Sequence, residues 1–148
     1  MSRTITYRGR LAMGTQDELN LKTNNGKTGY RIIKFQTISA EVGLNDLQTV
    51  TKIFNKTQAG SIGPAVDFTD SELLAVNYYH QGNVPDDNVD QTIIFDNQVF
   101  NQNIFIKSDD ARSATIEMNY YIELEAFPIS DLQATQLTLS NIRTVKSS

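Results

Sequence analysis

The amino-acid sequence predicts an all-β protein: a single-domain antiparallel β-sandwich, jelly-roll-like, that ends in a short helix or an extended tail. The clearest support comes from residues 115–127, where apolar and polar side chains alternate as they do along a strand with one buried face. The 148-residue chain also holds about eight strand-like patterns separated by turn residues, which is typical of sandwiches and barrels. An immunoglobulin-like sandwich is the alternative, although its Cys…Trp…Cys marker is missing because the chain contains neither residue type.

Four strands are predicted in the first half of the chain. They cover residues 4–11, 18–22, 30–38 and 49–54. The tetrapeptide Asn24-Asn25-Gly26-Lys27 separates the second strand from the third. Because Asn-Gly adopts the positive φ angles of a tight turn, these two strands are predicted to form a hairpin. Residues 42–48 fit no single pattern.

The second half predicts four more strands and then a change of period. The strands cover residues 73–80, 92–100, 103–107 and 115–127, with loops at 55–66 and 81–90 and a turn at 108–113. After Pro128 the apolar residues recur at helical spacing, and Ser130 and Gln133 have the spacing of a capping box. A helix over residues 131–143 is therefore predicted. Residues 1–148 form one domain, with 129–148 as its C-terminal tail or helix.

Composition excludes several classes of function. The net charge is −4 and no basic run occurs, so direct nucleic-acid binding is not expected. The chain has no cysteine, which removes disulfides, thiolate metal sites and cysteine nucleophiles. No apolar stretch approaches the roughly 20 residues of a membrane helix, and the N-terminal residues lack the apolar segment of a signal peptide. We therefore expect no membrane contact and synthesis in a cytoplasm.

The sequence offers no set of catalytic residues. His80 is the single histidine, and it ends an apolar strand pattern without a neighbouring nucleophile. No G-x-S-x-G, P-loop or H-E-x-x-H pattern is present. Glu117, Glu123 and Glu125 lie along one face of a single strand, where opposing cations or solvent explain them better than glycoside hydrolysis does. The chain is predicted not to be an enzyme and to need no cofactor.

One acidic segment resembles the start of a calcium-binding loop. Asp86, Asn88 and Asp90 place oxygen side chains at alternate positions, but Gln91 stands where the required glycine would be. Asn97 occupies the position of the final glutamate. A solvated acidic loop is the preferred interpretation, with a looser calcium site at these residues as the alternative.

Aromatic and apolar residues outside the predicted core indicate protein contacts. The dipeptides at 78–79 and 120–121 place one tyrosine on each side of a strand, and Tyr79 and Tyr121 are assigned as the outward members. Leu132, Leu139 and Ile142 recur at helical spacing in the tail. These five residues are the predicted interface.

A resemblance to a protein family is carried by the end of the chain. The strand Met118–Glu125, followed by a Thr-rich segment that ends in Leu139–Arg143, resembles the C-terminal end of small β-rich virion proteins of marine viruses and tailed phages. The resemblance implies a jelly-roll-like capsid or capsid-decorating subunit located in the virion. Its expected partners are other copies of itself, in a homo-oligomer, and other virion proteins. The missing basic arm favours an outer, decorating position.

A second class of function is compatible with the same residues. A carbohydrate-binding sandwich, as at the tip of a phage fibre, would use Tyr79 or Tyr121 to stack on a sugar. The acidic loop from Asp86 to Asp90 would then hold calcium.

Overall fold

The computed structural model describes residues 2–41, 47–58, 62–63, 65–82, 88–95, 98–111 and 116–143. Within these ranges the chain forms eight strands and one helix. The elements are β1 (Arg3–Leu11), β2 (Gln16–Leu19), β3 (Thr28–Ser39), β4 (Leu47–Phe54), β5 (Leu73–Gln81), β6 (Asn88–Ile94), β7 (Ile104–Asp110), β8 (Met118–Pro128) and α1 (Asp131–Arg143).

Two antiparallel sheets pack face to face. One sheet has the strand order β1-β8-β3 and the other has the order β2-β7-β4-β5-β6. The apolar core between them draws on both sheets, with Phe35, Ile122 and Leu124 from the first and Ile53 and Ile106 from the second. The predicted all-β sandwich with a C-terminal helix is confirmed.

The strand pairing is close to that of a jelly roll. A jelly roll pairs its first strand with its last and continues inward, so that strands one and eight, two and seven, three and six, and four and five are partners. The pairs β1–β8, β2–β7 and β4–β5 are present. β6 pairs with β5 instead of β3, although β6 and β3 are neighbours where the two sheets meet. The fold is jelly-roll-like with one displaced strand.

β8 carries the alternation that predicted the fold. Met118, Tyr120, Ile122, Leu124 and Ala126 are buried, and the residues between them are half-buried on the other face. Because β8 lies between β1 and β3, its inward side chains contact the core from the middle of the sheet. The long strand is therefore the centre of the smaller sheet.

The predicted hairpin between the second and third strands is wrong, although its turn forms. Gly26 has a φ of 65°, and its amide donates to the Thr23 carbonyl at 3.2 Å. The turn joins strands of different sheets, however, since β2 pairs with β7 and β3 pairs with β8. A tight turn defines local geometry, whereas the strand partners are chosen by long-range packing.

Several predicted boundaries differ from the structure. β6 begins at Asn88 and ends at Ile94, so the strand predicted over 92–100 starts earlier, and Phe100 forms only an isolated bridge with Tyr30. β7 continues to Asp110, into the predicted turn at 108–113. The second strand ends at Leu19, and the long strand begins at Met118.

The C-terminal helix has the predicted bounds. The amide of Gln133 donates to the Ser130 hydroxyl at 3.2 Å, which supplies the N-cap half of the predicted capping box. The Asn101 side-chain amide donates to the Ala134 carbonyl and to the Thr138 hydroxyl. These bonds attach α1 to the segment before β7.

Candidate interaction surface

The outer face of the β1-β8-β3 sheet is a grid of polar side chains. Strand register aligns one residue from each strand in a row across the sheet. The four rows, from one end to the other, are Thr4-Glu125-Arg31, Thr6-Glu123-Lys34, Arg8-Tyr121-Gln36 and Arg10-Asn119-Ile38. Tyr121 is therefore flanked by Arg8 on one side and Gln36 on the other, as the sequence alternation of β8 predicted for its outward ring.

Most of the charged side chains on this face form ion pairs. Glu125 pairs with Arg31, and Glu123 lies 3.8 Å from the Lys34 ammonium. Glu117 pairs with Arg10 at 2.6 Å. The three glutamates thus bind cations of neighbouring strands, which agrees with the structural interpretation of these residues. All of these side chains are at least partly exposed, so each pair contributes little to stability.

A groove with a volume of about 750 Å³ crosses the end of the sheet that carries Tyr121. Its outward side chains belong to residues of all three strands, and Ile38 is 51% exposed. Asp90 of β6 stands at the groove but accepts a hydrogen bond from the Asn77 side chain at 2.8 Å. The outward residues are Arg8, Arg10, Gln36, Ile38, Asn119 and Tyr121.

A buried polar layer lies behind the groove, between the two sheets. Asn77 is fully buried, and its side chain accepts from the Thr37 hydroxyl and donates to Asp90 and Thr92. The Thr51 and Ser108 hydroxyls form a second bond, 2.7 Å long, in the same space. The Thr37–Asn77 bond joins the two sheets at this end of the sandwich, and the other bonds of this buried layer lie within the larger sheet.

Helix α1 presents a second candidate surface. Leu132 is 69% exposed and Leu139 is 44% exposed, and their seven-residue spacing places both on one side of the helix. Ala134, on the opposite side, is buried against the body of the protein. Ile142 lies in the last turn of α1, as predicted. The helix thus leaves two leucines in solvent.

Tyr79 lies on the opposite side of its strand from the one predicted. Like Ala75 and Asn77, Tyr79 lies on the side of β5 that faces β3, and it is half-buried. Its hydroxyl donates to the Gln81 side chain at 3.0 Å. Burial raises the pKa of its phenol. Tyr78 takes the outer side, next to the ring of His80. The sequence pattern predicts the opposite orientation of β5, because it places apolar residues in the interior. At this end of the sandwich the interior is polar.

The described part of the chain includes only some of the calcium candidates. Asp86 lies outside the described residues, and Asn88 is the first residue of β6. Asp90 faces Asn77. Within the described ranges, no group of three or more histidine, cysteine, aspartate or glutamate side chains could hold a metal ion.

Apart from Tyr121, the outward residues of the groove were not predicted from the sequence, and two of them show why. Arg8 and Gln36 enter it because their strands flank β8 in a particular register. Alternation assigned both to a polar face, but it carried no information on which polar residues of distant strands become neighbours.

No protein-family model matches the chain, and a search of curated proteins finds no match. None of the helical residues that the structure describes forms a segment long and apolar enough to span a bilayer.

Proposed function

We propose that the protein is a virion structural protein, a capsid or capsid-decorating subunit that acts through contacts with copies of itself and with other virion proteins. One observation carries the proposal. The outer face of the β1-β8-β3 sheet combines an outward tyrosine, an exposed isoleucine and an arginine within one groove. Tyrosine and arginine are enriched in the energetically important centres of protein interfaces.

The topology gives further support. Jelly rolls are widely used as viral shell domains, and the ribbon-like pairing of β1–β8, β2–β7 and β4–β5 follows that pattern. Fold alone does not define function, so this point adds weight only together with the surface.

The tail helix supplies the other contact in this proposal. Leu132 and Leu139 expose large apolar side chains to water, and this exposed surface does not stabilise an isolated monomer. A neighbouring subunit that covers them would remove this surface from solvent. The helix itself is attached by Asn101 and by the ion pair between Lys27 and Asp131. The leucines are thus held in place for a partner.

Light scattering after size-exclusion chromatography, with negative-stain microscopy, tests the proposal. We expect rings, shells or other defined oligomers from the wild-type chain. The double variant Leu132→Ser/Leu139→Ser and deletion of residues 131–148 should both give folded monomers. Gln133→Ser, an exposed change on the same helix, is the matched control and should assemble normally. A wild-type chain that stays monomeric at high concentration and decorates no particle would refute the proposal.

A second function has one specific observation in its favour. Tyr121, with Arg8, Gln36 and Asn119 around it, is an aromatic ring bordered by hydrogen-bonding groups, an arrangement suited to a sugar. Calorimetry with glycans, with and without a chelator, tests this carbohydrate-binding alternative. Tyr121→Ala should abolish binding, and Tyr78→Ala should leave it intact.

A further inference from the structure

Charge is distributed unevenly over the outer face of the β1-β8-β3 sheet. Arg10, Arg31 and Lys34 each pair with a glutamate. Arg8 differs from them, since no carboxylate among the described residues lies within ion-pairing distance of its guanidinium. Arg8 is exposed and lies in register with Tyr121. The groove therefore holds one cation that no carboxylate of the described residues neutralises.

β1 is also the open edge of its sheet. Among the described strands it pairs with β8 alone, over nine residues. The other edge strand, β3, has β5 and β6 of the second sheet beside it and a bridge to Phe100. An edge strand of this length presents unpaired backbone donors and acceptors to a further strand.

We propose that an extended acidic segment of a neighbouring protein chain adds to the edge of β1 and places a carboxylate beside Arg8. Residues directly opposite one another on paired strands have Cβ atoms about 5 Å apart, which is within reach of an arginine–carboxylate bond. Alternate side chains of the added strand share the outer face with Tyr121 and Ile38. Main-chain bonds supply affinity, and Arg8 supplies the charge preference. The inference rests on the proposed function and names the chemistry of one contact.

The composition of β1 excludes a second copy of β1 as the matching strand. β1 holds Arg3, Arg8 and Arg10 and contains no acidic residue. Two such strands side by side would bring cations together and leave Arg8 without a carboxylate. The partner strand must therefore be acidic, and the arginines also prevent uncontrolled pairing of β1 with itself.

A peptide experiment tests this assignment. The probe is an extended peptide that alternates valine with glutamate, and the comparison peptide alternates valine with lysine. Binding to the full chain is measured by fluorescence anisotropy, and amide hydrogen exchange is followed by NMR. We expect the glutamate peptide to bind, to weaken with added salt, and to slow the exchange of β1 amides. Arg8→Glu should weaken it by about tenfold or more.

Arg3→Glu is the matched control. It makes the same charge change on the same strand, but Arg3 points to the other face of the sheet, and its variant should bind the peptide as the wild type does. Equal binding of the lysine peptide, indifference to Arg8→Glu, or unchanged exchange of β1 amides would each overturn the inference. So would Arg8-dependent binding of a uronic-acid oligosaccharide in place of the peptide.

Failure of this inference is separable from failure of the proposed function. If the wild-type chain assembles in the microscope but the glutamate peptide does not bind, the edge assignment is wrong and the assembly proposal stands. If the chain neither assembles nor decorates particles, the proposed function fails whatever the peptide does.

Discussion

Tyr120 of β8 covers Gly9 of β1, its cross-strand partner on the inner face of the sheet. A Cβ atom placed on Gly9 would lie 2.5 Å from the Tyr120 hydroxyl oxygen and 2.6 Å from the ring carbon that bears it. The hydroxyl passes beyond the glycine and donates to Asp17 of β2 at 2.7 Å. Because Gly9 has no side chain, the Tyr120 ring can lie over it and form a hydrogen bond with Asp17 of the other sheet.

Gly9→Ala should destabilise the protein because the new methyl group occupies the space of the Tyr120 ring. We expect the free energy of unfolding to fall by about 1–3 kcal/mol, measured by urea denaturation. Thr6→Ala, on the outer face of the same strand, is the control and should change stability by about 0.5 kcal/mol or less. Tyr120→Leu should relieve much of the penalty in a double-mutant cycle. Additive single effects would show that the two residues do not share this space.

The Tyr120→Phe variant should lose less stability than the wild type when the pH is raised into the alkaline range. Burial raises the pKa of the Tyr120 phenol, and its hydrogen bond to the Asp17 carboxylate raises it further. The unfolded chain therefore releases this proton first, near the ordinary tyrosine pKa of about 10. The stabilisation is complete below that pH and declines as pH rises above it.

Denaturant titrations at about pH 8 and about pH 11 measure this difference. The variant should be less stable at the lower pH by about 1 kcal/mol, because the bond to Asp17 is lost. Its further loss at the higher pH should be smaller than that of the wild type. Identical alkaline losses in the two proteins would mean that Tyr120 ionises normally in the folded state. Tyr30 and Tyr79, whose pKa values burial also raises, are present in both proteins and cancel in the comparison.

Asn77→Ala should cost more than the removal of any single exposed partner of Asn77. Its amide is fully buried and bonds Thr37 across the sheets and Thr92 within its own sheet. Truncation leaves the buried Thr37 hydroxyl without this acceptor and opens a cavity, so we expect a loss of about 2–4 kcal/mol. Thr92→Ala should cost about 1 kcal/mol or less. Thermal unfolding of both variants gives the comparison, and similar losses would show that the polar layer contributes little.

Sequence reasoning succeeded where one strand or helix contained the whole signal. The alternation of β8 predicted its two faces, and Ser130 with Gln133 predicted the start of α1. It failed where the answer depended on partners far along the chain. The Gly26 turn has the expected geometry, yet it connects different sheets. Tyr79 faces inward because Asn77, two residues earlier, bonds to β3, and no local pattern reveals that a sandwich interior is polar at one end.

Lys107→Met should loosen the segment that crosses the outer face of the larger sheet. Lys52 and Lys107 are cross-strand partners that are only 6% and 3% exposed. The Lys107 ammonium donates to the Gln58 carbonyl at 2.8 Å, and the Lys52 ammonium donates to the Ala65 carbonyl. Glu72, also buried, accepts from the Gln58 side chain at 2.8 Å. Two buried ammonium groups thus attach the chain between β4 and β5 to the strands beneath it.

Methionine has a similar length but donates no hydrogen bond, so the substitution removes the attachment while it preserves much of the packing. We expect proteinase K to cleave between β4 and β5 faster in Lys107→Met than in the wild type, and faster still when Lys52→Met is added. Global stability should fall by about 1–3 kcal/mol, because the Gln58 carbonyl loses a charged donor. Lys34→Met, on the exposed face of β3, is the matched control. Cleavage that is no faster in Lys107→Met than in Lys34→Met would show that packing alone holds the segment.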